Sequence, residues 1–440
     1  MRLVIAPGPP LAGRLKPPGD KSITHRALLL ALVADRATEI RGANLGEDCH
    51  STARCAVSLG ATIESREDGW RVEPGPLHSS PAPLDCGNSG TTLRLLAGVV
   101  AARPFRSVLT GDESLRRRPV DRIIEPLRHM GARLRAEGGD RVPPLEIQGA
   151  RLRPIRYEIP VASAQVASCI LLAALETEGE TEITLPGAAR DHTERMLKAA
   201  GVEIHQTPLA GGGRRVRLRG PAALPGGEIL VPGDFSAAAF FLAAAAAQPG
   251  ARIEAQDVGL NPTRTRLLDV LERMGAGIER TVREGPGGEP LGRVVVTGPE
   301  RLKAADVPPE WVPGMIDEVP AWAVAASAAH GVSKLAGAGE LRHKESDRIE
   351  ALARNLTALG IDARERPDGL EIAGGAARGG RVMADGDHRI AMAFAVLGTR
   401  ATRPVEIDDA ASIATSYPGF LSTLAALGGR IRQGAEAGEP

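Results

Sequence analysis

Aromatic side chains are scarce in this 440-residue chain, which has three Trp, two Tyr and six Phe. Few flat faces are left for bases to stack on, and 54 basic residues are balanced by 54 acidic ones. Proteins that bind nucleic acid usually carry a basic excess to neutralise phosphates, so both features argue against such a partner. Cysteine is equally sparse. Cys49, Cys55, Cys86 and Cys169 include no C-x-x-C pair, which argues against a disulfide framework and a zinc ribbon. The longest apolar run, Ala237 to Ala247, falls short of the roughly 18 residues of a membrane-spanning helix. The opening MRLVIAPGPP breaks at prolines and lacks a cleavage site, unlike a secretory signal. A soluble, cytoplasmic protein is expected. Lysine is the last rarity: residues 16, 21, 198, 303, 334 and 344 are Lys, and Arg supplies the other 48 basic positions. A lysine at 21 or 344 is therefore informative, because an ammonium can shift its pKa and hand on a proton where a guanidinium cannot.

What the chain has in abundance is glycine and proline, 52 and 34 residues, the mark of many short elements joined by turns. Its length exceeds one ordinary core and suggests two domains of roughly 200 residues. One phrase recurs six times: an apolar residue, a glycine, then alternating residues. The copies centre on Gly60, Gly131, Gly201, Gly275, Gly360 and Gly428, with spacings of 71, 70, 74, 85 and 68. Each follows a helix-period segment, so the glycine reads as a helix C-cap in a left-handed conformation and the alternation after it as a strand. Six such units, three per half, imply two pseudo-symmetric α/β domains. Glycine-rich stretches at 211–227 and 285–292 read as hairpin tips, and residues 226–235 as a crossing between the halves.

Several stretches suit anions. Pro17 to Arg26 is a proline- and glycine-fixed loop running into an apolar helix expected to begin just behind Lys21 and Ser22, whose free N–H groups favour negative charge. It is no P-loop, because Asp20 separates Gly19 from Lys21. Asp85 to Arg94 is a second glycine-rich turn into a helix, and Thr110 to Pro119 carries Arg116, Arg117 and Arg118. Ser163 reads as an N-cap, a role that leaves Gln165 unexplained. Arg190 to Thr193 lies close behind. In the second half stand Gly314 to Pro320, Leu341 to Arg348 and Asp385 to Met392; Lys344 and Arg348, four apart, would share one face if this stretch is helical.

In order along the chain, PGDKSITHRALLLA, GNSGTTLRLLAG, LTGDESLRRRPV, SAQVASCILLAAL, ARDHTERML, PGDFSAAAFFLAAA, RHKESDRIEAL and DGDHRIAMAFA resemble the enolpyruvyl transferases, and among them the EPSP synthases, from about residue 14 to about residue 425. The resemblance implies an α/β fold of two domains, each of three βαβαββ units, with the chain crossing near Gly19/Asp20 and Val231/Pro232. One domain is then 20–231 and the other 1–19 with 232–440, the active site lying in the cleft. It implies transfer of the enolpyruvyl group of phosphoenolpyruvate to the 5-hydroxyl of shikimate 3-phosphate through a tetrahedral intermediate, with no cofactor and no metal, in a monomer. Carried over residue by residue, Lys21, Ser22, Arg26, Ser163, Ala164, Gln165, Arg190, Asp317 and Lys344 would hold shikimate 3-phosphate. Lys21, Asn88, Gly90, Arg118, Gln165, Arg348 and Arg389 would hold phosphoenolpyruvate. Lys21, Asp317 and Glu345 would be catalytic, Asp317 taking the hydroxyl proton and Glu345 relaying the proton that turns the methylene into a methyl group. Where some members carry a lysine near the C-terminus, this chain has Ile413 to Pro418. Gly90 is the residue replaced by alanine in some members that tolerate the inhibitor glyphosate. Two other readings are the transferase acting on UDP-N-acetylglucosamine, whose reactive cysteine is missing between Gly111 and Pro119, and a non-catalytic binder of phosphorylated metabolites.

Overall fold

The computed structural model describes residues 1–285 and 287–433. The chain forms two compact units. The inner one along the chain comprises Gly19–Pro232 and Glu284–Glu289; the outer one comprises Met1–Pro18, Gly233–Arg283 and the described residues from Pro290 on. Residues 284–289 thus make an excursion that sequence reasoning did not separate from the outer half.

Among the described residues each unit is a mixed α/β structure of three small sheets. In the inner unit the strands of one sheet are Leu84–Asp85, Arg106–Thr110, Val142–Gln148 and Arg133–Ala136, in that spatial order. The first pair is parallel and the remaining pairs are antiparallel. The other inner sheets repeat the order, with Arg156–Glu158, Gly179–Leu185, Arg214–Gly220 and Ile204–Pro208, and with Gly227–Leu230, Thr38–Arg41, Gly69–Glu73 and Thr62–Arg66. Alternation sets their faces: in Arg214–Gly220, Val216 and Leu218 are buried while Arg215, Arg217 and Arg219 are exposed. Two outer sheets have four strands; the third has three, extended by a parallel bridge between Val307 and Leu335. Edge strands such as Thr62–Arg66 and Asp362–Arg366 are charged and largely exposed, which discourages further strands from adding on.

The apolar helices lie beneath these sheets. Helix α1 (Lys21–Leu32) is buried from Ile23 onward, α2 (Glu47–Ser58) buries one side, and α3 (Gly90–Ala101) is buried at every residue but Thr91. The helix Ala164–Ala174 meets α3 so closely that a Cβ on Gly98 would stand 2.1 Å from the carbonyl oxygen of Cys169. The longest apolar run forms the helix Phe235–Ala246, wholly buried in the outer core. Among the described residues no helix is long and apolar enough to cross a membrane. The four cysteines are buried thiols.

All six repeated glycines have positive φ, between 81° and 118°, and each is followed by a strand, as the repeated phrase implies. Three expectations need correction. Helix α1 begins at Lys21 and not behind it, because the Asp20 carboxylate accepts the Ile23 N–H and caps the helix one residue earlier. Lys344 and Arg348 share no helix: Lys344 is extended, and Asp347 caps the helix Arg348–Ala358 by accepting the Glu350 N–H. The hairpin tips are shorter than expected, since 214–220 and 227–230 are strands and Gly292 lies inside the strand Pro290–Thr297.

Candidate functional site

In the inner unit the candidate residues gather where helices begin. Lys21 opens α1, and its Nζ lies 3.0 Å from Asp48 Oδ2 on α2. Arg26, one turn on, is buried and held almost wholly by neutral oxygens. Its Nε donates to Thr193 Oγ1 at 2.7 Å, Nη1 to the Ser22 carbonyl at 2.9 Å and Nη2 to Ser168 Oγ at 2.8 Å. Burial lowers its pKa to about 10 against the pull of Glu194 and Asp20, which leaves it charged at neutral pH. Arg190, half-buried ahead of the helix His192–Ala199, is one of the charges that Arg26 feels, and its carbonyl accepts from Arg214.

A second group surrounds the start of α3. Arg118 donates to both the side-chain and backbone oxygens of Asn88, at 2.7 and 3.2 Å, and to Ser114 Oγ at 3.0 Å; Asn88 in turn donates to Asp112. Gly90 is the first residue of α3, behind the cap Ser89, and a Cβ there would stand 2.7 Å from Arg94 Nη1. Arg94, to which sequence reasoning gave no role, explains Gln165: its Nη1 donates to Gln165 Oε1 at 2.9 Å, while Gln165 Nε2 donates to Thr91 Oγ1 at 3.1 Å. The carboxamide is therefore oriented from both ends. Ser163 caps the helix that Ala164 begins, its hydroxyl accepting from the Val166 N–H.

The outer unit gathers a different set. Asp317 lies in the 3-10 turn Ile316–Glu318, with Oδ1 at 3.5 Å from Arg348 Nη1 and 3.9 Å from Lys344 Nζ. Its backbone carbonyl accepts from Arg389 Nη1 at 3.1 Å. Arg348 is 1% exposed and reaches three carboxylates, since it also donates to Glu345 Oε2 and Asp387 Oδ2, each at 2.7 Å. Burial alone would lower the pKa of Arg348, but Asp387 and Glu345 outweigh it and the pKa rises. Burial likewise pushes the Asp387 carboxyl up, and the Arg348 charge more than offsets this, leaving it below its ordinary value. Lys344 donates to Glu340 at 2.8 Å.

Asp387 is the outer residue that sequence reasoning passed over. It binds the Arg348 guanidinium, accepts from Ser346 Oγ and caps the helix His388–Gly398 through the Arg389 backbone N–H, so one carboxylate holds one candidate arginine by its side chain and the next by its backbone. Its signal was the cap itself, an Asp immediately before an apolar helix. Thus Lys21, Ser22, Arg26, Asn88, Gly90, Arg118, Ser163, Ala164, Gln165 and Arg190 belong to the inner unit, and Asp317, Lys344, Glu345, Arg348 and Arg389 to the outer one.

Comparison with known proteins bears on what such sets do. The family model for EPSP synthase (3-phosphoshikimate 1-carboxyvinyltransferase) matches residues 5–424. The 3-phosphoshikimate 1-carboxyvinyltransferase of Methylococcus capsulatus is 46% identical over 426 residues, covering 96% of each chain. That of Methylorubrum extorquens is 48% identical over 443 residues, covering 98% of this chain and 97% of its own. Among solved structures, an EPSP synthase from Acinetobacter baumannii superposes with a TM-score of 0.87 at 40% identity, covering 98% of this chain and all of its own.

Proposed function

Because the chain belongs to the EPSP synthase family and performs its reaction, enolpyruvyl transfer from phosphoenolpyruvate to shikimate 3-phosphate, we propose a division of labour between the two sets of residues. The inner set binds the anions. Lys21, Ser22, Arg26, Ser163, Ala164, Gln165 and Arg190 hold shikimate 3-phosphate, with Asp317 and Lys344 toward its reacting hydroxyl. Lys21, Asn88, Gly90, Arg118 and Gln165, with Arg348 and Arg389, hold phosphoenolpyruvate. Helix starts and fixed cations suit this work because they are organised before the ligand arrives.

The outer set moves protons. Asp317 accepts the proton of the 5-hydroxyl, a role that requires an ionised carboxylate; Lys344 and Arg348 beside it favour that form. The hydroxyl oxygen bonds to C2 of phosphoenolpyruvate while Glu345 protonates C3, giving a tetrahedral intermediate. Elimination returns a proton of the new methyl group to Glu345, and phosphate leaves with the proton that Asp317 took from the hydroxyl, which restores both carboxyl groups. The observation that carries this reading is Arg348 bound to Glu345 and facing Asp317, which fixes two candidate acid/base carboxylates through one cation.

We take the scaffold to be three βαβαββ units per domain, the protein to be a cytoplasmic monomer, and glyphosate to be a candidate inhibitor. The test is phosphate release with phosphoenolpyruvate and shikimate 3-phosphate, with and without a chelator, beside UDP-N-acetylglucosamine as acceptor. Chelator-resistant release with shikimate 3-phosphate alone is the expected result. Release only with the nucleotide sugar overturns the substrate, and silence with both favours a binding protein.

A further inference from the structure

Beneath the inner set runs a buried line of polar side chains that the proposed mechanism does not use. His25 on α1, Thr52 on α2, Thr92 on α3 and the cap Ser89 are each at most 2% exposed. His25 Nδ1 lies 2.7 Å from Thr52 Oγ1, which lies 2.6 Å from Thr92 Oγ1, which donates to Ser89 Oγ at 2.8 Å.

Counting protons gives the line a direction. The single hydroxyl proton of Thr92 goes to Ser89. The Thr52–Thr92 contact then requires the Thr52 proton, and the His25–Thr52 contact requires a proton on Nδ1. Nε2 is left as a bare lone pair, and it is buried without a hydrogen-bond partner among the described residues. A proton there would add a buried N–H with no acceptor, a costly arrangement. Burial lowers the His25 pKa to about 3; Asp48 opposes this, while Lys21 and Arg26 add to it, so the ring is neutral.

We propose that His25 is a positioning residue: its Nδ1–H begins a one-way hydrogen-bond chain through Thr52 and Thr92 that fixes Ser89, and with it the flanking Asn88 and Gly90, for phosphoenolpyruvate. The inference rests on the proposed function of that loop. Ser89 Oγ also accepts the Thr92 N–H at 3.1 Å, so both of its lone pairs are engaged. Because the bonds point one way, each donor polarises the next, and a break anywhere along the line reaches the loop.

Two measurements test this. Nitrogen-15 NMR of the histidines in the intact, unliganded protein should show His25 with Nδ1 protonated and Nε2 bare throughout about pH 5–8. An Nε2–H tautomer or an imidazolium overturns the proposal. Thr52→Val keeps the volume and removes the hydroxyl; it should raise KM for phosphoenolpyruvate roughly three- to tenfold, leave KM for shikimate 3-phosphate unchanged, and be rescued by Thr52→Ser. Unchanged values, or an equal rise in both, would show a structural role only and overturn it. The tautomer is read without turnover, so an inactive wild-type chain would break the functional reading and not this one.

Discussion

Arg26 and Arg348 are both buried guanidinium groups, and their surroundings could hardly differ more. Arg26 is hydrogen-bonded to two hydroxyls and a carbonyl, one from each of its nitrogens, which leave its charge uncancelled at contact. Arg348 is surrounded by Asp317, Glu345 and Asp387, which cancel its charge more than once. Neutral partners preserve a cation's attraction for an incoming anion. Carboxylate partners consume that attraction and, in exchange, are themselves held in place. The inner arginine suits binding alone, while the outer one, besides its proposed place at phosphoenolpyruvate, suits the holding of acids and bases, although both are the same residue type at similar depth.

Breaking the outer arrangement should have the largest effect. Arg348→Met leaves Asp387 buried without its cation and should cost about 3–5 kcal/mol of stability, read by urea unfolding, together with loss of turnover. Glu345→Gln keeps the shape and removes the proton; kcat should fall about a hundred- to ten-thousandfold with little change in either KM. A pure KM effect would reassign Glu345 to binding. The inner arrangement should respond in affinity: Lys21→Met should weaken each ligand by about 1.5–3 kcal/mol, seen in calorimetry with both substrates.

Acid should sharpen the contrast further. His25 has a folded pKa of about 3 against an ordinary 6.5, so the unfolded chain binds the extra proton first. Its contribution is complete above pH 6.5 and is lost as pH falls toward 3, at about 1.4 kcal/mol per pH unit. Asp387, with a depressed pKa, adds its loss only at the acid end of that range. The slope of stability against pH should flatten in His25→Gln. The smallest change concerns one methyl group: Gly90→Ala brings a Cβ against Arg94 and should raise the glyphosate inhibition constant about tenfold.

The sequence was most legible where structure is local. The six glycines declared themselves because a left-handed C-cap depends on the residue itself and its nearest neighbours. The cationic residues of the loops were visible through the family motifs. Their partners were not. Nothing in the order of residues says that Arg348 meets Asp387, 39 positions away, or that Arg94 reaches Gln165 across 71. The Lys344–Arg348 pairing, conditional on a helix through both, is different, because its answer was local: Asp347 followed three residues later by Glu350 is a cap signature, and it starts the helix after Lys344.

The uneven glycine spacing carries a last consequence. The six copies of the phrase leave five gaps, four of them between 68 and 74 and one of 85 from Gly275 to Gly360. Within that longest gap lie the connection from Thr297 to Val319, which carries Asp317, and that from Leu335 to Arg348, which carries Lys344 and Glu345. The surplus length of one repeat thus falls on the loops that bear the carboxylates. A graft of chemistry onto a periodic frame needs only one module to be lengthened, and changes of loop length that alter reactivity without unfolding the protein should be sought in those two connections and not in the matching loops of the other five modules.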